Sequence, residues 1–193
     1  MRPSRLVILS LFFVALTLEG TANQAATKDI TAVYADGKVA DGQYKNAYFG
    51  LTLTPENAQF TQGGFVSSEG QRARLVDAQA NAANWDDRYE IAILADALSA
   101  NPLVTSPTQY VRSVRHQLEK ERFETVQAES AIEISGSKFV YATMKIAEDG
   151  KTHYRGLYTT FLNGYILSLD VTVGSAARLK SILKMVKFEA PRK

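Results

Sequence analysis

The dipeptide Asn163-Gly164 constrains the fold of this chain most strongly, because it lies between two runs in which apolar and polar residues alternate. Both residues accept the positive φ angles that a two-residue β-hairpin turn requires. The turn predicts antiparallel strands in which Leu162 pairs with Tyr165, and this register continues along both runs. One face of the hairpin is then apolar and should lie in the core: Tyr154, Tyr158, Leu162, Leu167, Leu169, Val171 and Val173.

A third alternating run precedes this hairpin, and the turn between them decides which of its faces is buried. A two-residue turn would pair Ala142 with Leu157, on the face opposite to the predicted core. A three-residue turn over residues 148–150 pairs Val140 with Tyr158 on the core face. Because a slip of one residue moves every side chain to the other face, we expect the three-residue turn. The opposite face is half apolar, so another element should cover part of it.

Two helices are indicated by their first residues and by the spacing of apolar residues. Ser106 can cap a helix that starts with Pro107 and ends near Arg122. Ser175 begins a closing helix with a stripe of Leu179, Ile182, Leu183 and Val186. Further strands are predicted at residues 49–54, 72–78 and 88–98. The Gly, Ser and Gln content of residues 57–70 predicts a long exposed loop.

The N-terminus has the regions of a secretory signal peptide, with Arg2 and Arg5 before an apolar run at residues 6–18 and small residues after it. The alternative is a transmembrane anchor, but this run spans only about 20 Å as a helix, against a bilayer core of roughly 30 Å. We therefore expect cleavage after residue 22, or as late as 26. No membrane span would remain, and the product would be periplasmic or secreted.

The rest of the chain divides into a flexible tether (residues 23–42), in which a short ordered piece is expected at residues 30–34, one domain (43–188) and a short tail (189–193). The chain contains no cysteine, so disulfides and a lipid-modified N-terminal cysteine are excluded and stability must come from the core. The apolar content of 46% is sufficient for a core. A formal net charge of +2 gives no electrostatic reason to expect a nucleic-acid partner.

Two stretches resemble the PsbP/Mog1-like domains. Residues 46–55 (NAYFGLTLTP) are similar to the opening strand of that family. Residues 161–169 (FLNGYILSL), with the helix that ends at Phe188, are similar to its closing hairpin and helix. The resemblance implies an α+β fold, with an antiparallel sheet flanked by helices on both faces (an α/β/α sandwich), and an exported bacterial type of member. It also implies protein binding and assembly rather than catalysis.

Few residues suggest chemistry. His153, Arg155 and Asp170 should share one sheet face, either as an anion or acid–base site or as an ordinary polar patch. His116 is expected on the wet side of its helix, and neither histidine has an apparent set of metal ligands. Asp86-Asp87 with Glu90 could attract calcium, but their spacing is that of an acidic turn rather than of a calcium loop.

Trp85 is the single tryptophan, and it either anchors a partner or closes the edge of the core. From these features we expect an exported, non-enzymatic protein-binding or assembly domain without cofactor or metal. Its partner would be another envelope or extracellular protein. The alternative is a small-ligand carrier or weak hydrolase that uses a polar pocket near Arg155 and Asp170.

Overall fold

The computed structural model describes residues 29–66 and 71–189, which form two antiparallel sheets and three α-helices. The smaller sheet contains β1 (Gly37–Ala40), β2 (Gln43–Asn46), β3 (Leu51–Leu53) and β11 (Val186–Phe188), in that order. The larger sheet has the order β4-β5-β6-β10-β9-β8-β7. Its strands are β4 (Gln59–Val66), β5 (Arg72–Ala80), β6 (Tyr89–Ala97), β7 (Glu124–Ile134), β8 (Ser137–Glu148), β9 (Lys151–Leu162) and β10 (Tyr165–Val173). The helices are α1 (Ile30–Ala35), α2 (Pro107–Lys120) and α3 (Ala176–Ile182).

The main core lies on one face of the larger sheet, which is covered by the smaller sheet together with α1 and α3. The other face carries a second, smaller apolar cluster under α2, which packs on β7, β8 and β9. This cluster joins Tyr110, Val111, Val114 and Leu118 of the helix to Ala142, Met144, Leu157 and Ile166 of the sheet. The α+β class is confirmed, but the expected sandwich with helices as both outer layers is not, since a second sheet forms part of one layer.

The hairpin at Asn163-Gly164 is confirmed, including the pair Leu162 and Tyr165 and the register that follows from it. The predicted three-residue turn is wrong. Glu148 pairs with Lys151 around a two-residue turn, and Ala142 pairs with Leu157. The prediction failed because α2 buries the second face as well, so the apolar residues of β8 have a core on either side.

Helix α2 is confirmed, and the Ser106 hydroxyl accepts a hydrogen bond from the Gln109 amide at 3.2 Å, as a capping serine should. The closing helix is shorter than expected. It ends at Ile182, and Val186 belongs to β11, where it pairs with Leu53 of the smaller sheet.

Two predictions about irregular segments need correction. The tether was expected to be flexible through residue 42 except for an ordered piece at residues 30–34. Helix α1 forms at that piece, but Ile30 and Val33 are buried in the core, so α1 and β1 belong to the folded domain rather than to a tether. The loop predicted at residues 57–70 contains strand β4. The signal peptide over residues 1–22 and nearly all of the tail lie outside the described residues. Within residues 29–66 and 71–189, no helix has the length and apolar content to span a bilayer.

Candidate functional site

Beyond the area covered by α2, the second face of the larger sheet carries a row of charged side chains that we call the charged strip. It consists of Arg74, Asp77, Glu90, Asp170 and Arg155, on β5, β6, β10 and β9. Cross-strand register explains the row, since residues that face one another share a sheet face. Asp77 faces Ala92, which faces Asp170, and Glu90 faces Thr172, which faces Arg155. All five side chains keep between 16% and 21% of their surface exposed.

Arg155 and Asp170 form a bidentate ion pair. The Arg155 Nε donates to Asp170 Oδ1 at 2.8 Å, and its Nη2 donates to Oδ2 at 2.6 Å. The Phe123 ring centroid lies 5.8 Å from the guanidinium carbon, so the cation is also covered by an aromatic face. Burial alone would lower the pKa of Arg155, but the Asp170 carboxylate raises it, and the guanidinium stays charged.

The other half of the strip has one guanidinium between two carboxylates. Arg74 Nη2 lies 2.6 Å from Asp77 Oδ1 but 3.5 Å from Glu90 Oε1. Burial raises the pKa of Asp77, and the Asp170 carboxylate raises it further, against the effect of Arg74. Burial and the neighbouring Asp77 carboxylate raise the pKa of Glu90 in the same way.

This half of the strip forms the floor of a groove of about 240 Å³ that is open to solvent. We call it the polar groove, and it is lined by Gln59, Thr61, Arg74, Asp77, Gln79 and Glu90. Gln59 and Thr61 come from β4, the strand at the edge of the larger sheet, so the groove runs beside an edge with which no strand of residues 29–66 and 71–189 pairs. Amide, hydroxyl and carboxylate groups therefore meet there, with a single guanidinium among them.

A second polar network ties α2 to the sheet close to the strip. Asp96 is almost completely buried on β6 and forms a bidentate ion pair with Arg72 on β5. The Tyr110 hydroxyl of α2 donates to Asp96 Oδ2 at 2.9 Å. Burial and the Asp96 carboxylate raise the pKa of Tyr110, so this hydroxyl stays protonated as a donor. The network fixes the helix on the sheet through a charge-assisted hydrogen bond.

The expected grouping of three residues forms only in part. Arg155 and Asp170 meet, whereas His153 packs edge to face on Trp85, with ring centroids 4.6 Å apart. Burial lowers the pKa of His153, the nearby Lys151 ammonium lowers it further, and Glu148 acts in the opposite direction.

Trp85 is half-buried, and its Nε1 donates to the Thr152 carbonyl at 3.2 Å. The Lys151 ammonium lies 4.6 Å from the centre of the indole. These contacts place the ring across the start of β9 and beside the turn before β6, against polar groups rather than against either apolar cluster of the described residues. Both interpretations of Trp85, as an anchor for a partner and as a plug at the edge of the core, stay predictions.

The remaining candidates are not brought together. Asp86 and Asp87 are exposed in a short 3₁₀ turn, while Glu90 lies in the polar groove. His116 is exposed on α2, 3.1 Å from an Arg115 nitrogen. No group of three or more His, Cys, Asp or Glu side chains in the described part of the chain has a metal-binding arrangement.

A second open groove of about 470 Å³ lies on the other side of the molecule, where α3 and the following 3₁₀ turn approach the smaller sheet. This groove is lined by Gln43, Thr54, Glu56, Ser181, Lys184, Met185 and Lys187. The two lysines are exposed, and these seven residues form no ion pair with one another. In the charged strip, by contrast, ion pairs join the charged side chains to one another. The charged strip and the polar groove are therefore the candidate site.

Sequence reasoning missed Arg74 and Asp77, because their spacing of three places them on opposite faces of a regular strand. A β-bulge resolves this, since the pairing with β6 shifts between Arg74 and Val76 and leaves Leu75 as the extra residue. Leu75 and Val76 are both fully buried, and two successive apolar residues beside charged ones were the only sign of the bulge in the sequence.

The comparisons with known proteins are sparse. No family model matches this chain, and no curated protein matches it. A crystal structure from Bacteroides thetaiotaomicron covers 74% of this chain at 14% identity and a TM-score of 0.41, and the match spans 46% of that protein, about half its length.

LpqN of Mycobacterium tuberculosis, described as involved in cell envelope biogenesis, covers 71% of this chain at 12% identity and a TM-score of 0.40. The match spans 82% of LpqN. Neither likeness is close enough to carry an argument about this chain, and no family model confirms the PsbP/Mog1-like resemblance.

Proposed function

We propose that this protein is an exported, non-enzymatic protein-binding or assembly domain of the PsbP/Mog1-like type, which acts in the periplasm or outside the cell. Its partner would be another envelope or extracellular protein, met at the polar groove and the adjacent edge strand β4. The observation that carries the proposal is the contrast between the two edges of the larger sheet.

The edges differ in how they are protected against pairing with another chain. Strand β7 (ETVQAESAIEI) carries three glutamates, and charged side chains are a common protection of exposed edges. Strand β4 (QFTQGGFV) carries no charged residue and no proline, although a bulge between Gln62 and Phe65 and the Tyr34 hydroxyl, which donates to the Gly63 carbonyl, interrupt its second half. An uncharged edge beside a groove of hydrogen-bonding side chains suits an extended segment of a partner, which gains affinity from the backbone and specificity from the groove.

The charged groups support binding better than catalysis. Arg155 and Asp170 hold each other at 2.6 and 2.8 Å, so both are already engaged in a structural pair. A general base must lie within hydrogen-bond reach of the proton that it removes, and His153 packs on Trp85 instead. A carrier or hydrolase that uses Arg155 and Asp170 has less support, because the nearby groove of about 240 Å³ is lined by Arg74, Asp77 and Glu90 rather than by that pair.

Site-specific photo-crosslinking in the native envelope tests the proposal. A photoreactive residue at Thr61 samples the groove, and the same residue at Glu133, on the opposite edge strand, is the matched control. We expect one discrete protein adduct from Thr61 that is absent from Glu133 and that the purified partner re-forms. Equal adducts at both positions, or none at either, would contradict the proposal. A second test introduces Asp170→Asn into the protein with the crosslinker at Thr61, and we expect the same adduct to form. If the Asp170→Asn protein keeps its fold and its adduct but no longer supports the cellular phenotype of the wild type, then Asp170 belongs to a chemical site and the proposal is wrong.

A further inference from the structure

The charged strip has more negative than positive groups. It holds three carboxylates (Asp77, Glu90 and Asp170) against two guanidinium groups (Arg74 and Arg155). Adjacent strands lie about 4.8 Å apart, so all five groups act on one another across the same sheet face. The imbalance is one formal negative charge on a half-buried surface.

The distances locate this excess in the polar groove. Arg155 is committed to Asp170 through two short hydrogen bonds. Arg74 is committed to Asp77, with Nε at 2.7 Å and Nη2 at 2.6 Å from Oδ1, and it reaches Glu90 only at 3.5 Å. Glu90 is therefore the carboxylate with the weakest compensation, although its side chain is only 16% exposed.

The rest of the lining would accept a cation rather than compete with it. Gln59, Gln79 and Thr61 contribute neutral oxygen atoms, and Arg74 is the only cation among the described residues that line the groove. The pKa values of Asp77 and Glu90 are both raised, by burial first and by neighbouring carboxylates in addition, which agrees with a negative field at this position. A volume of about 240 Å³ suits one long side chain rather than a folded element.

We infer that the polar groove binds the basic side chain, lysine or arginine, of an extended partner segment, with Glu90 as its counter-ion and the amide and hydroxyl oxygens of Gln59, Gln79 and Thr61 as further acceptors. This inference rests on the proposed function and adds the chemistry of the partner. Charge complementarity selects the occupant, because a cation completes the neutralisation of the strip, whereas an acidic segment would meet an already negative surface.

The test uses the folded protein and two small probes, N-acetyl-arginine amide and N-acetyl-aspartate amide, observed by amide chemical shifts in NMR titrations. We expect the arginine probe to shift the amides of Gln59, Thr61, Asp77 and Glu90, and the aspartate probe to leave them unchanged. Equal or larger shifts with the aspartate probe would overturn the inference.

Three variants sharpen the result. Glu90→Gln keeps the shape of the side chain and removes the charge, and it should weaken arginine-probe binding about fivefold, which corresponds to a partly desolvated charge pair. Glu133→Gln removes one negative charge from the opposite edge of the sheet. Because solvent and salt screen a charge at that distance, this variant should change arginine-probe binding less than twofold. Arg74→Gln removes the competing guanidinium, so binding should become tighter. Unchanged binding in Glu90→Gln, or weaker binding in an Arg74→Gln protein with wild-type amide dispersion, would overturn the inference.

The inference and the proposed function can fail separately. If the partner that is captured by the crosslinker at Thr61 binds the wild-type protein and the Glu90→Gln variant equally well, the inference is wrong and the protein-binding function stands. If no adduct forms at Thr61, the proposed function fails, and the partner-based inference fails with it even where the arginine probe binds.

Discussion

Tyr110→Phe should destabilise the protein through the loss of a buried, charge-assisted hydrogen bond to Asp96 and of a longer one from Arg72. The hydroxyl donates to Asp96 Oδ2 at 2.9 Å and accepts from Arg72 Nη2 at 3.4 Å. A hydrogen bond to a charged group contributes about 1.5–3 kcal/mol, so we expect a loss of about 2 kcal/mol. The carboxylate keeps its bidentate contact with Arg72, so the variant should still fold.

Tyr34→Phe is the matched control, because it removes the same atom from a hydrogen bond to a neutral acceptor. The Tyr34 hydroxyl donates to the Gly63 carbonyl at 3.1 Å in a partly buried position. A neutral hydrogen bond contributes about 1 kcal/mol. Urea unfolding, followed by the fluorescence of the single tryptophan, should therefore place the midpoint of Tyr110→Phe below that of Tyr34→Phe, with equal slopes.

A double-mutant cycle with Asp96→Asn isolates the pair. The coupling energy between Tyr110 and Asp96 should be about 1 kcal/mol or more, since residues in one network are not additive. The reasoning is wrong if Tyr110→Phe lowers the free energy of unfolding no more than Tyr34→Phe does, and if the effects of Tyr110→Phe and Asp96→Asn simply add in the double variant. In that case the network does not hold α2 on the sheet.

Three further outcomes are expected. Ile182→Ala should cost about 2–5 kcal/mol in urea unfolding, because Ile182, the last residue of α3, is fully buried in the main core, whereas Lys180→Ala on the exposed side of the same helix should cost less than about 0.5 kcal/mol. Gly150→Ala should cost about 1 kcal/mol, because Gly150 has a φ of 72° and an added Cβ meets no atom within 4 Å, so only backbone strain contributes. The fluorescence of Trp85 should titrate with a midpoint below the ordinary histidine value of 6.5, because burial lowers the pKa of His153. Because the pKa of His153 is lower in the folded state, the unfolded state binds the proton more readily. The contribution of neutral His153 to stability is therefore complete above pH 6.5 and is lost as the pH falls from 6.5 through the lowered pKa. His153→Gln should abolish this titration and His116→Gln should preserve it.

The parts of the fold that the sequence predicts correctly are those fixed by local chemistry. Asn163-Gly164 sets its hairpin because both residues accept a positive φ, and here φ is 53° and 82°. Ser106 sets the start of α2 because its hydroxyl reaches an amide three residues later. In neither position does a distant part of the chain choose between alternatives.

The turn at Asp149-Gly150 shows where local chemistry is insufficient. Both turn lengths suit its residues, and burial was used to decide between them. Burial could not decide, because Val140 and Met144 face α2 while Phe139 and Tyr141 face the main core, and both faces are apolar. The choice depends on a helix that lies some thirty residues earlier in the chain, which periodicity within the strands does not report.

The candidate site was predictable only where it follows from the hairpin. Arg155 and Asp170 are diagonal neighbours in the register that Asn163-Gly164 fixes, and they form the pair that this register implies. The polar groove depends instead on the bulge at Leu75 and on a strand, β4, whose sequence of Gly and Gln is typical of a loop.

The charged strip is difficult to explain by stability alone. Five ionisable side chains lie half-buried on the central strands, where well-packed apolar residues of similar volume are often as stabilising as ion pairs. Helix α2 shows that this sheet face can support such packing, since it buries Leu157, the cross-strand neighbour of Asp170, together with Ala142 and Met144 on the adjacent strand β8. The face is therefore divided into an area that the chain covers itself and an area that stays polar and accessible beside an uncharged edge. That division is what a surface needs if it must remain hydrated in the free protein and still select its partner by charge.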